Sequence, residues 1–285
     1  MPFSPITVVK ANGRTEPFSE DKIIRSLTRA HVPRSYQHEI VEHLVSHLGN
    51  RVSSRDIHDQ IRAYFGQTKP HLFAKYNLKQ AIMEFGPSGY PFERYVGELL
   101  RHYGYNCVVG SIVQGKCVTH EVDVVAHKDD QHFIIECKFH NQPGTRSDVK
   151  TALYVKARVD DIVERLQLSE HEQFQREKHK GWLVTNTKCT SDAIQYALCA
   201  GINVIGWSYP DKGNLQDMVE DAGLYPITVL TSLSQTQKAG LLARDVVLAK
   251  NLQQQPELLN ELHLSMEELQ AARNELEGLF SPEET

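Results

Sequence analysis

The chain has 285 residues, 40% hydrophobic and 24% charged, with 31 Lys and Arg against 36 Asp and Glu. This is room for more than one domain in an ordinary globular composition, and it excludes disordered and fibrous classes. No apolar run approaches the roughly 18 residues needed to cross a bilayer, and residues 1–10 lack a signal-peptide layout, so a cytoplasmic location with no membrane partner is expected. Cys107, Cys117, Cys137, Cys189 and Cys199 form no CxxC pair, as expected of reduced thiols. The net charge of −5 hides a gradient: 12 bases against 8 acids in residues 1–86, 15 against 19 in 87–225, and 4 against 9 in 226–285.

In chain order, Ile6 to Lys10 and Thr15 to Phe18 flank Asn12-Gly13, the dipeptide of a two-residue hairpin turn. Ser19 is an N-cap candidate, with Glu20 and Asp21 in the first turn and Ile23, Ile24, Leu27 and Ala30 as an apolar stripe. Helices are expected over Tyr36 to Leu48 and Asp56 to Phe65. His38, His43 and His47 fall near one helical face without a carboxylate or thiolate beside them and read as a solvated stripe.

A hairpin feeding a small helical bundle resembles the ATP-cone, the nucleotide-binding regulatory domain of ribonucleotide reductases and their repressors. The resemblance covers about residues 5–85. It rests on Val8, Lys10, Gly13, Glu16, Phe18, Lys22, Ile23 and Leu27 in order, and on Ser54-Arg55-Asp56-Ile57-His58. It implies that Lys10 and Lys22 meet the phosphates of ATP or dATP, that Glu16 and Ser19 read base or ribose, and that Ser54 and His58 close the pocket. Two ammonium groups beside a helix N-terminus suit an anion.

Gly86-Pro87-Ser88-Gly89 reads as a linker. Phe92, Val96, Leu99, Leu100 and Tyr103 then trace an amphipathic helix that Gly104 ends. Residues 120–126 and 132–139 alternate as half-buried strands around a polar turn. A two- or four-residue loop centred between Asp129 and Asp130 pairs each position i with about 259 − i. That register sets Asp123 opposite Glu136 on one face, with Lys138 joining them, and turns Val122, Val124, Phe133, Ile135, Cys137 and Phe139 to the other. Two carboxylates so close repel unless a hard cation sits between them, and oxygen ligation suits Mg²⁺ or Mn²⁺.

The spacing from Asp123 to Glu136-Cys137-Lys138, after a helix carrying Glu93, resembles the PD-(D/E)xK nucleases, nearest to the Mrr-like restriction and Holliday-junction-resolvase branch. The resemblance covers roughly residues 88–210. It implies Glu93, Asp123, Glu136 and Lys138 as catalytic residues, with Glu98 as a weaker helix acid, and Glu93, Asp123, Glu136 and Cys137 around the metal. Val122 stands where the motif's name has proline. Lys150, Tyr154 and Arg158, spaced by four, form a candidate phosphate-contacting stripe. Residues 181–186 and 202–207 flank a helical stretch, Ser191 to Ala200, as a βαβ unit.

Helices are expected over Thr236 to Leu252 and Pro256 to Leu279, with Ser265 and Glu268 as a capping box. The expected fold is therefore mixed α/β and multidomain: an N-terminal hairpin and helical bundle (1–86), a restriction-endonuclease-like sheet flanked by helices (87–225), and a helical segment (226–285). The expected function is a metal-dependent DNA endonuclease regulated by ATP or dATP. Its alternatives are a non-catalytic nucleotide-responsive DNA-binding regulator, or a nuclease acting on RNA or branched DNA. No GxxxxGK[ST] motif is present to couple ATP hydrolysis to movement. Cleaving both strands of a duplex calls for two active sites, so a dimer or larger homo-oligomer is expected.

Overall fold

The computed structural model describes residues 6–10, 13–30, 32–68, 70–168 and 178–281. They divide into two compact units: Met1–Leu78 with Val229–Leu233 and Gln255–Thr285, and Lys79–Thr228 with Ser234–Gln254.

In the first unit, β1 (Thr7–Val9) pairs antiparallel with β2 (Thr15–Pro17) and parallel with β3 (Arg51–Ser53). The hairpin closes more widely than a two-residue turn. Lys10 N–H donates to the Arg14 carbonyl (2.8 Å) and Gly13 N–H to the Lys10 carbonyl (2.9 Å), with Gly13 at φ +79°. This three-residue loop needs left-handed backbone at its last position, which glycine adopts freely; Asn12 lies outside the described residues. Helices α1 (Glu20–Arg29), α2 (Arg34–His47) and α3 (Ser54–Thr68) bury Leu27, Ile40, Leu44, Ile61 and Phe65 in one core. Helix α4 (Pro70–Tyr76) packs against α3 and against a helix from the end of the chain, Met266–Phe280. The box expected at Ser265 and Glu268 caps that last helix. Its buried Glu275 accepts hydrogen bonds from the N–H and hydroxyl of both Thr231 and Ser232. The residues after 225 therefore do not form a unit of their own: Val229–Leu233 and Gln255–Thr285 belong to the first unit and Ser234–Gln254 to the second.

The second unit holds α5 (Leu78–Met83), apart from its first residue, and α6 (Tyr90–His102). Its five-stranded sheet is ordered β10-β8-β6-β5-β4, from β4 (Asn106–Gln114), β5 (Thr119–Lys128), β6 (Gln131–Lys138), β8 (Lys178–Thr185) and β10 (Ile202–Ile205). β4, β5 and β6 form an antiparallel meander, whereas β6, β8 and β10 are parallel. A two-stranded ribbon joins β7 (Arg146–Ser147) to β9 (Lys188–Cys189). Successive side chains alternate between faces. Ile134 and Leu183 join the core under α7 (Val149–Gln167) and α8 (Ser191–Cys199), and Phe133 and Trp182 on the alternate face meet Tyr105. Short helices α9 (Leu215–Ala222), α10 (Gln235–Leu242) and α11 (Ala249–Gln254) complete the unit. The single helix expected over Thr236 to Leu252 is broken near Asp245, at φ +61°. No described helix is long and apolar enough to cross a membrane.

Candidate functional site

The β5–β6 hairpin runs in the expected register, from Lys128 opposite Gln131 to Val124 opposite Ile135, and the regular ladder ends there. One step further the Asp123 side chain replaces a backbone acceptor: its Oδ2 takes the Cys137 N–H at 2.7 Å. This fixes the carboxylate beside the Glu136-Cys137-Lys138 segment. Glu136 is ion-paired with Arg158 of α7, both nearly buried. Glu93, in the first turn of α6, donates its N–H to the Gly89 carbonyl at 3.1 Å.

The electrostatics tie these groups together. Burial, followed by the charges of Asp123, Glu121 and Glu136, lifts the Glu93 carboxyl to about 7. Burial and then Asp123 lift Glu136 to about 7 as well, against the pull of Arg158 and Lys138. Asp123 is also raised, by burial first, with the Cys137 N–H and the Arg158 charge opposing it. Acids that raise one another's pKa share a field that a cation would relieve.

Of the two helix acids, Glu98 accepts from Arg101 on its own helix at 2.7 Å, whereas the charges of the strand acids reach Glu93. Cys137 departs from its expected place around a metal. Its side chain is buried on the face of β6 opposite Glu136 and its thiol is pushed well up, chiefly by burial. It is therefore held as the thiol and not the thiolate that binds metals, leaving only its carbonyl oxygen as a donor. Among the described residues no three His, Cys, Asp or Glu side chains converge as a ready-made metal cage. Two carboxylates flanked by a third nevertheless fit Mg²⁺, which keeps several waters and takes one or two carboxylates.

Arg158 is the residue that sequence reasoning placed differently. Its spacing from Lys150 and Tyr154 suggested a phosphate stripe, and the stripe exists on α7. The guanidinium, however, turns inward to Glu136, bonds the Tyr154 hydroxyl, and lies 4.7 Å from the Tyr154 ring centroid.

In the first unit, Lys10 Nζ and Lys22 Nζ each lie 2.9 Å from one oxygen of Glu16, whose carboxyl is lowered mainly by the Lys10 bond, then that of Lys22. Ser19 caps α1, accepting from the Lys22 N–H. Val9 is opposite Ser53, so Lys10 and the exposed Ser54 leave the sheet side by side. His58 departs from that group: its Nε2 lies 3.0 Å from Asn77 Oδ1, its ring is near Phe73 and Tyr76, and burial lowers its pKa.

Three family models match the chain. Residues 6–76 match the ATP cone domain, residues 87–209 a restriction endonuclease domain of the Mrr catalytic type, and residues 225–280 the AF1548-like C-terminal domain. An uncharacterized protein of Archaeoglobus fulgidus is 41% identical over 162 residues, 54% of this chain and 84% of that protein. The crystal structure of AF1548, a protein of unknown function, superposes with a TM-score of 0.54 at 34% identity, over 67% of this chain and 96% of the other.

Proposed function

We propose, from the premise that this chain belongs to the AF1548 family and joins an ATP-cone to an Mrr-type restriction-endonuclease domain, that it is a Mg²⁺- or Mn²⁺-dependent DNA endonuclease regulated by adenine nucleotide. The observation that carries the reading is the Asp123 carboxylate held by the Cys137 N–H at 2.7 Å beside Glu136 at the end of the β5–β6 hairpin, with Lys138 two residues on from Glu136 and Glu93 of α6 raised by burial and then by the strand acids. Asp123 and Glu136 would hold the cation with Glu93 and the Cys137 carbonyl around it. When bound, the ion supplies Lewis-acid activation and neutralises charge building on the phosphoryl oxygens. Lys138, exposed at the end of β6, orients the attacking water and stabilises charge on the phosphate. Arg158 holds Glu136 in place and offers an alternative counter-charge to it. Nucleotide regulation rests on Lys10 and Lys22, which would exchange Glu16 for phosphates, with Ser19 and Ser54 beside them, whereas His58 stays with Asn77 outside that group. Nucleotide binding is assigned to the unit of Met1–Leu78 with the C-terminal residues that belong to it, and cleavage to the unit of Lys79–Thr228 with Ser234–Gln254. The free cysteines favour a cytoplasmic setting.

The full-length protein is tested on plasmid, linear duplex, branched DNA and RNA, with Mg²⁺ or chelator, and with or without ATP or dATP. Cleavage of DNA is expected only with metal. Asp123→Asn or Glu136→Gln should lower it by about 100-fold or more while the circular dichroism spectrum is kept. Undiminished cleavage by either variant would remove the active-site assignment, and cleavage confined to RNA would change the substrate class.

A further inference from the structure

A cavity of about 200 Å³ lies beyond the ends of β6 and β8, lined by Lys79, Arg146 and Lys188 together with Gly144, Thr145 and Thr187, and by no acidic side chain among the described residues. Its three cations come from three separate elements: the start of α5, β7 and β9. Arg146 and Lys188 are register partners in a parallel ribbon, so two positive side chains stand abreast. Like charges in that position destabilise a pair unless an anion joins them.

The ribbon is held firmly. His140 N–H donates to Asn186 Oδ1 (2.9 Å), Asn186 Nδ2 donates back to the His140 carbonyl (2.8 Å), and Thr190 N–H donates to the Ser147 carbonyl (2.9 Å). Asn186 and Ser147 are both buried. The backbone positions of Arg146 and Lys188 are therefore fixed, and their exposed side chains leave adjacent points of the ribbon towards one cavity. Lys79 registers the crowding: its pKa is lowered, by burial first and by the Lys188 charge second. The pocket also has an orientation relative to the cleavage residues, since Lys138 is paired with Thr185 and Thr187, two residues on, lines the cavity.

We propose that Lys79, Arg146 and Lys188 form a second anion site in the nuclease unit, which holds a backbone phosphate of the bound nucleic-acid strand next to the one that is cut. The inference rests on the nuclease reading above and adds a positioning contact to it. Phosphate contacts fix register on a strand without reading sequence, and each one steepens the salt dependence of binding by about 0.9 in the log–log slope.

The test uses the full-length protein in chelator, so that nothing is cut, and follows the anisotropy of a labelled DNA duplex across a salt series. Arg146→Gln/Lys188→Gln is compared with wild type and with Lys212→Gln, which removes an exposed charge elsewhere. The double variant is expected to bind about tenfold more weakly, with a slope reduced by about 0.9 to 1.8, while Lys212→Gln stays near wild type. A double variant indistinguishable from Lys212→Gln overturns the site. So does inorganic phosphate raising the melting temperature of wild type but not of the double variant while DNA affinity is equal, because the pocket would then serve free phosphate. Failure of the underlying reading looks different: wild type with Mg²⁺ cuts no nucleic acid, whatever stands at residues 146 and 188.

Discussion

Arg158 and His132 illustrate how single residues take their properties from what surrounds them. Arg158 is a spaced base on a helix until α7 lies on the sheet, where it becomes the ion-pair partner of Glu136 and a counter-charge to the pair of acids. His132, on β6, is buried beside His127 and His179, and its pKa falls to about 4, by burial first and by those two rings next. The folded state thus keeps His132 neutral where the unfolded chain, titrating near 6.5, binds a proton. Its contribution is fully present above pH 6.5 and is lost as pH falls towards 4, by about 3 kcal/mol in all. Denaturant titrations of wild type and His132→Asn at pH 7 and pH 4.5 should therefore differ, with wild type losing more stability on acidification. Equal losses in the two proteins would show that the imidazole is not held neutral.

At the scale of elements, the position of α7 depends on one glycine in the interior strand β8. A Cβ on Gly181 would stand 2.5 Å from Ile202 Cδ1 and 2.8 Å from Val159 Cγ2, so the bare backbone is what lets β10 and α7 close on the strand. Val159 is the neighbour of Arg158, and the same close approach carries the guanidinium to Glu136. Gly181→Ala is expected to cost about 1–3 kcal/mol through overpacking, measured by chemical denaturation, and to lower cleavage as Arg158 is pushed away. Wild-type stability in this variant would mean that the helix has slack which the contacts do not suggest. The antiparallel hairpin is less dependent on such packing, because its two-residue loop and alternating side chains impose the register locally.

At the scale of the whole molecule, the final helix is part of the first unit's core, against α4, so nucleotide binding belongs in the full-length chain and not in residues 1–86 alone. Calorimetry is expected to give binding of ATP or dATP, weakened about tenfold by Lys10→Ala or Lys22→Ala through loss of a charge-assisted phosphate contact. No heat with either nucleotide would end the regulatory reading. ATP and dATP are further expected to populate different assemblies, by no more than their difference in affinity for each state allows. Light scattering at fixed protein concentration, without nucleotide and with each, reads this directly. One mass in all three, with altered cleavage rates, would place the coupling within a single assembly.

The sequence by itself determined what is local or repeated at short range: the β5–β6 register, the caps at Ser19 and Ser265, and the order of nucleotide-binding and nuclease-type domains. Caps are decided within about four residues, and an alternating strand has one burial-compatible register across a short loop. Only the tertiary structure decided that Glu93 and not Glu98 feels the strand acids, that Arg158 faces Glu136, and that the C-terminal residues are shared between two units. These depend on contacts between residues far apart in sequence, such as Arg158 with Glu136 or Thr231 with Glu275. Helical spacing gives the face on which a side chain lies, but the element which that face meets is set by close packing of cores, to which distant segments contribute.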